Sequence, residues 1–163
     1  MSMPQQFYVA IISYDFETSS IVTAALGGPG YIGGISPYLV STCMHGTISK
    51  LDKTFLLMAQ KYGIHLQESY YYKLIDPRKI DLWIAMDRIS EEAARQHVGE
   101  FGLVKSSFYH NYFGDVVVYA NISLPKVPKE SQFPEDWQKW FSQIKERVSP
   151  WSKKLWDAFS DSS

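Results

Sequence analysis

FYVAIISYDFETSSIVTAAL, residues 7–26, decides how the rest of the chain is read. Its two β-branched and aromatic runs, Phe7–Ser13 and Ser20–Leu26, are separated by polar residues, and short apolar runs bounded in this way carry the signature of strands. Outward from it, GGPGYIGGISP (27–37) is a glycine-rich loop, and YLVSTCMHGTIS (38–49) is again strand-like. Asp52 then offers an N-cap for TFLLMAQKY, with Gly63 placed to end that helix. ESYYYKLI and KIDLWIAM read as strands on either side of the Asp76-Pro77 turn.

Ser90, followed by two glutamates, predicts a second helix through EEAARQHVGEF, stopped at Gly102. SFYHNYFGD reads as an aromatic loop, and DVVVYANISLP (115–125) as the strongest strand in the chain, ended by Pro125 and Pro128. From Gln132 onward Trp137, Trp140, Phe141, Ile144 and Val148 fall at helical spacing, and Ser149-Pro150 restarts a further helix over WSKKLWDAF. The expectation is one α+β domain over residues 1–163, with a core over 7–125 and a helical segment over 132–160.

Sixteen Lys and Arg against seventeen Asp and Glu leave no broad basic face for duplex DNA or an anionic membrane. Cys43 is the sole cysteine, so no internal disulfide forms. No apolar run approaches the roughly 18 residues of a membrane span. The N-terminus has no basic, apolar signal, so a cytoplasmic location is expected.

GPGYIG (28–33) matches the glycine pattern of dinucleotide-binding turns, but strand-like residues follow it where such a turn needs a helix, so it reads as a flexible loop or lid. His65, His97 and His110 have no metal-ligand spacing to cysteines or carboxylates, and no metal or other cofactor is expected. The C-terminal tryptophans read as packing, with Trp156 the most exposed of them and the helices around it the surface for any protein partner.

His45 and Thr47 stand two residues apart in a strand-like run and would share one face. Asn121 and Ser123 repeat that geometry 76 residues later. Here the chain resembles the 2H phosphoesterase superfamily, which carries two H-x-T/S motifs, and the order of strands and helices from Phe7 to Leu124 follows that family. The resemblance implies two pseudo-symmetric lobes of mainly antiparallel sheet with helices outside, whose motifs face each other across a cleft. It implies a metal-independent phosphodiesterase acting on a cyclic phosphate, a 2′–5′ linkage or a cyclic oligonucleotide, with His45 as general acid or base and Thr47 and Ser123 holding the phosphate.

Asn121 departs from the family, which has histidine there, and a carboxamide does not carry a proton between pH 5 and 8. Loss of one member of an acid–base pair costs on the order of 10² to 10⁴ in rate. Three readings therefore stand: a slowed enzyme, a binder of a small nucleotide or short oligonucleotide, and an unrelated α+β interaction protein. Tyr109 and His110, in the aromatic loop that leads into the second motif, are the candidate substrate-binding residues, Tyr109 by stacking on a base and His110 as a proton donor.

Overall fold

A computed structural model describes residues 7–27, 38–102 and 108–162. Five strands, β1 (Tyr8–Ser13), β2 (Tyr38–Cys43), β3 (Tyr70–Tyr71), β4 (Leu82–Ala85) and β5 (Val117–Tyr119), form one sheet in the order β3-β2-β1-β4-β5. Every pairing in it is parallel, with Val9 opposite Leu39 on one side and Leu82 on the other. The expected two-lobed, mainly antiparallel α+β fold is therefore overturned. This is a doubly wound, Rossmann-like α/β sheet.

The reversal traces to residues 16–26, which form helix α1 (Phe16–Leu26) where a second strand was expected. A carboxylate one residue ahead of the run explains it: Asp15 Oδ2 accepts the Thr18 N–H at 2.9 Å and caps the first turn. The β-branched residues that suggested a strand, Ile21, Val22 and Thr23, are buried in that helix. The helix between β1 and β2 is the crossover that their parallel pairing needs.

Both faces of the sheet are covered, which is why its strands read as continuous apolar runs rather than alternating ones. Val9, Ile11, Leu82 and Ile84 pack under α1, α2 (Lys50–Lys61) and α5 (Pro134–Ser162). Ala10, Ile12, Trp83 and Ala85 face α3 (Arg88–Glu100). A six-residue helix, α4 (Phe108–Phe113), lies where an aromatic loop was expected, and stacks Tyr109 on Phe7 at 3.7 Å between ring centroids.

Several expected elements differ in length from what their sequence suggested: β2 stops at Cys43, and ESYYYKLI is a strand only at Tyr70–Tyr71 before a 3-10 turn over Tyr72–Leu74. β5 stops at Tyr119 because the carbonyls beyond it go to α5 instead of to a neighbouring strand. Trp151 Nε1 donates to Ala120, Arg147 to Ser123, Trp140 Nε1 to Pro125 and Trp137 Nε1 to Ser131. α5 in turn runs through Pro150 as one helix in place of two. Proline at 150 has no N–H for the carbonyl of Glu146, and the Ser149 hydroxyl donates to that carbonyl at 3.0 Å.

Candidate functional site at the carboxyl edge of the sheet

In a doubly wound sheet ligands collect outside the carboxyl ends of the strands, at the point where strand order reverses. Here the order reverses between β1 and β4. That crevice is bridged by Asp87, which caps α3 by accepting the Ser90 N–H and accepts the Tyr14 N–H as well, both at 2.8 Å. Ser90 Oγ adds a bond to the Ile12 carbonyl.

The open space lies beside it, over β1, β2 and β3. A cavity of about 380 Å³ is lined by Asp15, Phe16, Cys43, His45, Gly46, Thr47, Ile48, Ser49, Asp52, Ser69 and Tyr71. A second, of about 410 Å³, shares Asp15, Ser49 and Asp52 with it and adds Leu51, Phe55, Met58, Lys129 and Glu17. Lys129 is paired with Glu17 at 2.6 Å.

β2 ends at Cys43, so His45 and Thr47 sit in the loop to α2 and not on a strand face; both are exposed at the cavity. The His45 ring meets Tyr14 edge-on at 4.8 Å. α2 starts from a reciprocal capping box: Ser49 Oγ accepts the Asp52 N–H, and Asp52 Oδ2 accepts the N–H and the hydroxyl of Ser49. Cys43 is buried, its thiol donates to the His45 carbonyl, and burial pushes its pKa up, with Asp52 and Asp15 adding to that rise.

The remaining expected site residues lie elsewhere. Asn121 and Ser123 follow β5, outside the cavity lining, and β5 is three strand positions from β2, about 14 Å at the usual strand spacing. Asn121 is exposed with φ at 53°, a left-handed turn conformation that asparagine tolerates and a strand does not use. Tyr109 is buried in the core, its hydroxyl bonded to that of Ser162. His110 is next to it and close to Asp81, which pairs with the backbone of Tyr8 at the amino end of β1. The structure thus brings His45 and Thr47 together and separates them from Asn121, Ser123, Tyr109 and His110. The glycine-rich residues 28–33, read as a lid, lie outside the described residues.

Two features of the cavity were missed. Tyr71 reaches it because β3 pairs in register with β2, setting Tyr71 opposite Cys43; nothing local in ESYYYKLI marks one of three tyrosines. Beneath it, the Ser69 hydroxyl is surrounded by those of Ser19, Ser20 and Ser41. Ser20 donates its one proton to the Gln67 carbonyl, so Ser69 donates to Ser20 and accepts from Ser41, while the Ser19 hydroxyl also reaches the Phe16 carbonyl. The serines of SS at 19–20 were the available signal, since two adjacent inward hydroxyls need partners once the run is helical.

No group of three or more His, Cys, Asp or Glu placed to hold a metal occurs among the described residues. Nor is any described helix long and apolar enough to cross a membrane.

No protein-family model matches the chain and no curated protein matches it. Among solved structures, the chain is similar to Wzb of Vibrio vulnificus in complex with benzylphosphonate, at 13% identity and a TM-score of 0.48 over 91% of this chain and 99% of that one. It is similar to a mutant of YwlE from Bacillus subtilis, at 12% identity and 0.49 over 91% and 98%. A low molecular weight phosphotyrosine phosphatase of Vibrio cholerae matches at 15% and 0.48 over 96% and 99%. These values carry no argument about activity. The resemblance to 2H phosphoesterases is overturned: a single parallel sheet has no pair of lobes to set two motifs face to face.

Proposed function

We propose that this chain is a binding domain for a small ligand, which enters the cavity at the carboxyl edge of β1, β2 and β3 and is held without chemical conversion. The observation that supports it most is the use of Asp15 and Asp52. A helix N-terminus at the carboxyl edge of a parallel sheet is a ready anion site, because its free N–H groups point outward. At α1 the Thr18 N–H goes to the Asp15 carboxylate, and at α2 Asp52 accepts the Ser49 N–H while Ser49 Oγ accepts that of Asp52. Among the described residues, a phosphate entering the cavity meets two negative charges and no lysine or arginine.

The thiol points the same way. A nucleophilic cysteine needs an electropositive setting that lowers its pKa, whereas burial and two carboxylates raise that of Cys43.

Hydrolysis of phosphate esters is the second reading. What favours it is the presence of an imidazole, a thiol and the hydroxyl of Thr47 at one cavity. An assay for phosphate released from phenyl phosphate and from a cyclic nucleotide separates the two. The binding reading expects no turnover above background for the wild type; turnover abolished by His45→Ala or Cys43→Ser overturns it.

A further inference from the structure

Hydrogen-bond bookkeeping around the cavity narrows what it can hold. Asp15 accepts the Thr18 N–H on Oδ2 and the single proton of the Thr18 hydroxyl, which lies within reach of both of its oxygens. Ser49 and Asp52 Oδ2 satisfy each other, Ser69 is engaged by the hydroxyls of Ser19, Ser20 and Ser41, and the Cys43 thiol is turned to the His45 carbonyl. Capacity is left on the His45 imidazole, the Thr47 and Tyr71 hydroxyls, Asp52 Oδ1 and the spare lone pairs of Asp15.

That set is three groups able to donate and four or five able to accept, with no lysine or arginine among the described residues of the lining. An anion is repelled by the two carboxylates. A cation competes with the helix caps for Asp15 and for Asp52 Oδ2. A hydroxyl group, which donates one bond and accepts two, uses both kinds of site at once. Tyr71 also supplies a ring for the C–H face of a saturated ring. It is held against Gly46, where a Cβ would stand 3.8 Å from the Tyr71 ring, and edge-on to Tyr72. The volume, about 380 Å³, falls in the range of about 300–1,000 Å³ typical of small-molecule pockets.

We infer that the ligand is an uncharged polyhydroxylated ring, a saccharide or cyclitol, and that Tyr71 is its principal contact; this deepens the binding reading and rests on it. The hydroxyls of Tyr71 and Thr47 and the imidazole of His45 bond the ring's hydroxyls, Asp52 Oδ1 accepts from one of them, and the Tyr71 ring packs on its carbon face.

Backbone amide spectra of the full chain, titrated to millimolar concentrations with myo-inositol, glucose and maltose, test it against inorganic phosphate and spermidine. At least one hydroxylated probe is expected to shift the amides of His45, Gly46 and Tyr71 saturably. Tyr71→Ala should weaken that probe about tenfold or more, and Tyr71→Phe by less, with the Thr18 and Asp52 amides unmoved in both to show intact helix caps. Saturation by spermidine alone overturns the ligand class and leaves the binding reading standing. Saturation by phosphate overturns both. No response to any hydroxylated probe overturns the class, as does a Tyr71→Ala chain that keeps its caps and binds as the wild type does.

Discussion

At the scale of single residues, short polar side chains do more to shape the cavity than the histidine that first drew attention to it. The ordered hydroxyl chain from Ser41 to Ser69, Ser20 and the Gln67 carbonyl gives a directional expectation. Ser69→Ala strands the proton of Ser41, and a stranded buried donor costs about 1–3 kcal/mol, read as a lower urea midpoint at unchanged slope. Removing both partners in Ser41→Ala, Ser69→Ala should cost less than the sum of the single changes; additivity would show that no such bond exists.

Asp87 is a second such residue, since it caps α3 and holds the loop after β1 across the reversal of strand order. Asp87→Ala should lower stability by about 1–2 kcal/mol, measured by thermal unfolding. These polar groups were visible in the sequence only as ordinary loop residues, because their roles depend on partners 28 to 73 positions away.

At the scale of elements, what was legible followed local chemistry and what was not depended on neighbours. The β1, β2 and β4 runs, the α2 and α3 patterns and the turn at Asp76-Pro77 are all set by residues close in sequence. Residues 16–26 were misread because Ile21, Val22 and Thr23 favour strands intrinsically, and the Asp15 cap outweighs that preference only once the helix is packed. The extent of β5 was misread because its continuation bonds to tryptophans and an arginine of α5 that no local pattern reveals. Half of the proposed site, His45 and Thr47, was legible from the HGT motif; Tyr71 was not, because its place depends on the β2–β3 register.

The uninterrupted α5 makes its own prediction. Proline inside a helix costs up to about 3 kcal/mol relative to alanine, so Pro150→Ala should stabilise the protein by a large part of that. Unfolding at a lower denaturant concentration than the wild type would show instead that Pro150 is needed to seat Leu155, Ala158 and Phe159.

At the scale of the whole molecule, the sheet has a closed amino edge and an open carboxyl edge. At the amino edge Asp81 holds the start of β1 and faces His110 and Tyr109. Burial raises its pKa above the ordinary carboxylate value, outweighing the lowering by the Tyr8 N–H and by His110. A carboxyl with a raised folded pKa stabilises fully below its unfolded pKa and loses that contribution as pH climbs through the folded value. Urea unfolding across a pH series should therefore show Asp81→Asn gaining on the wild type as pH rises out of the carboxylate range; a constant difference would contradict this.

The carboxyl edge carries the functional claim, which is that carboxylates of the chain occupy the helix N-termini where a phosphate ester would bind. The most direct measurement is a titration of the backbone amides of Thr18, Asp52 and His45 with phenyl phosphate. Three unmoved amides across the titration are predicted, and a saturable shift of the three together would contradict the account.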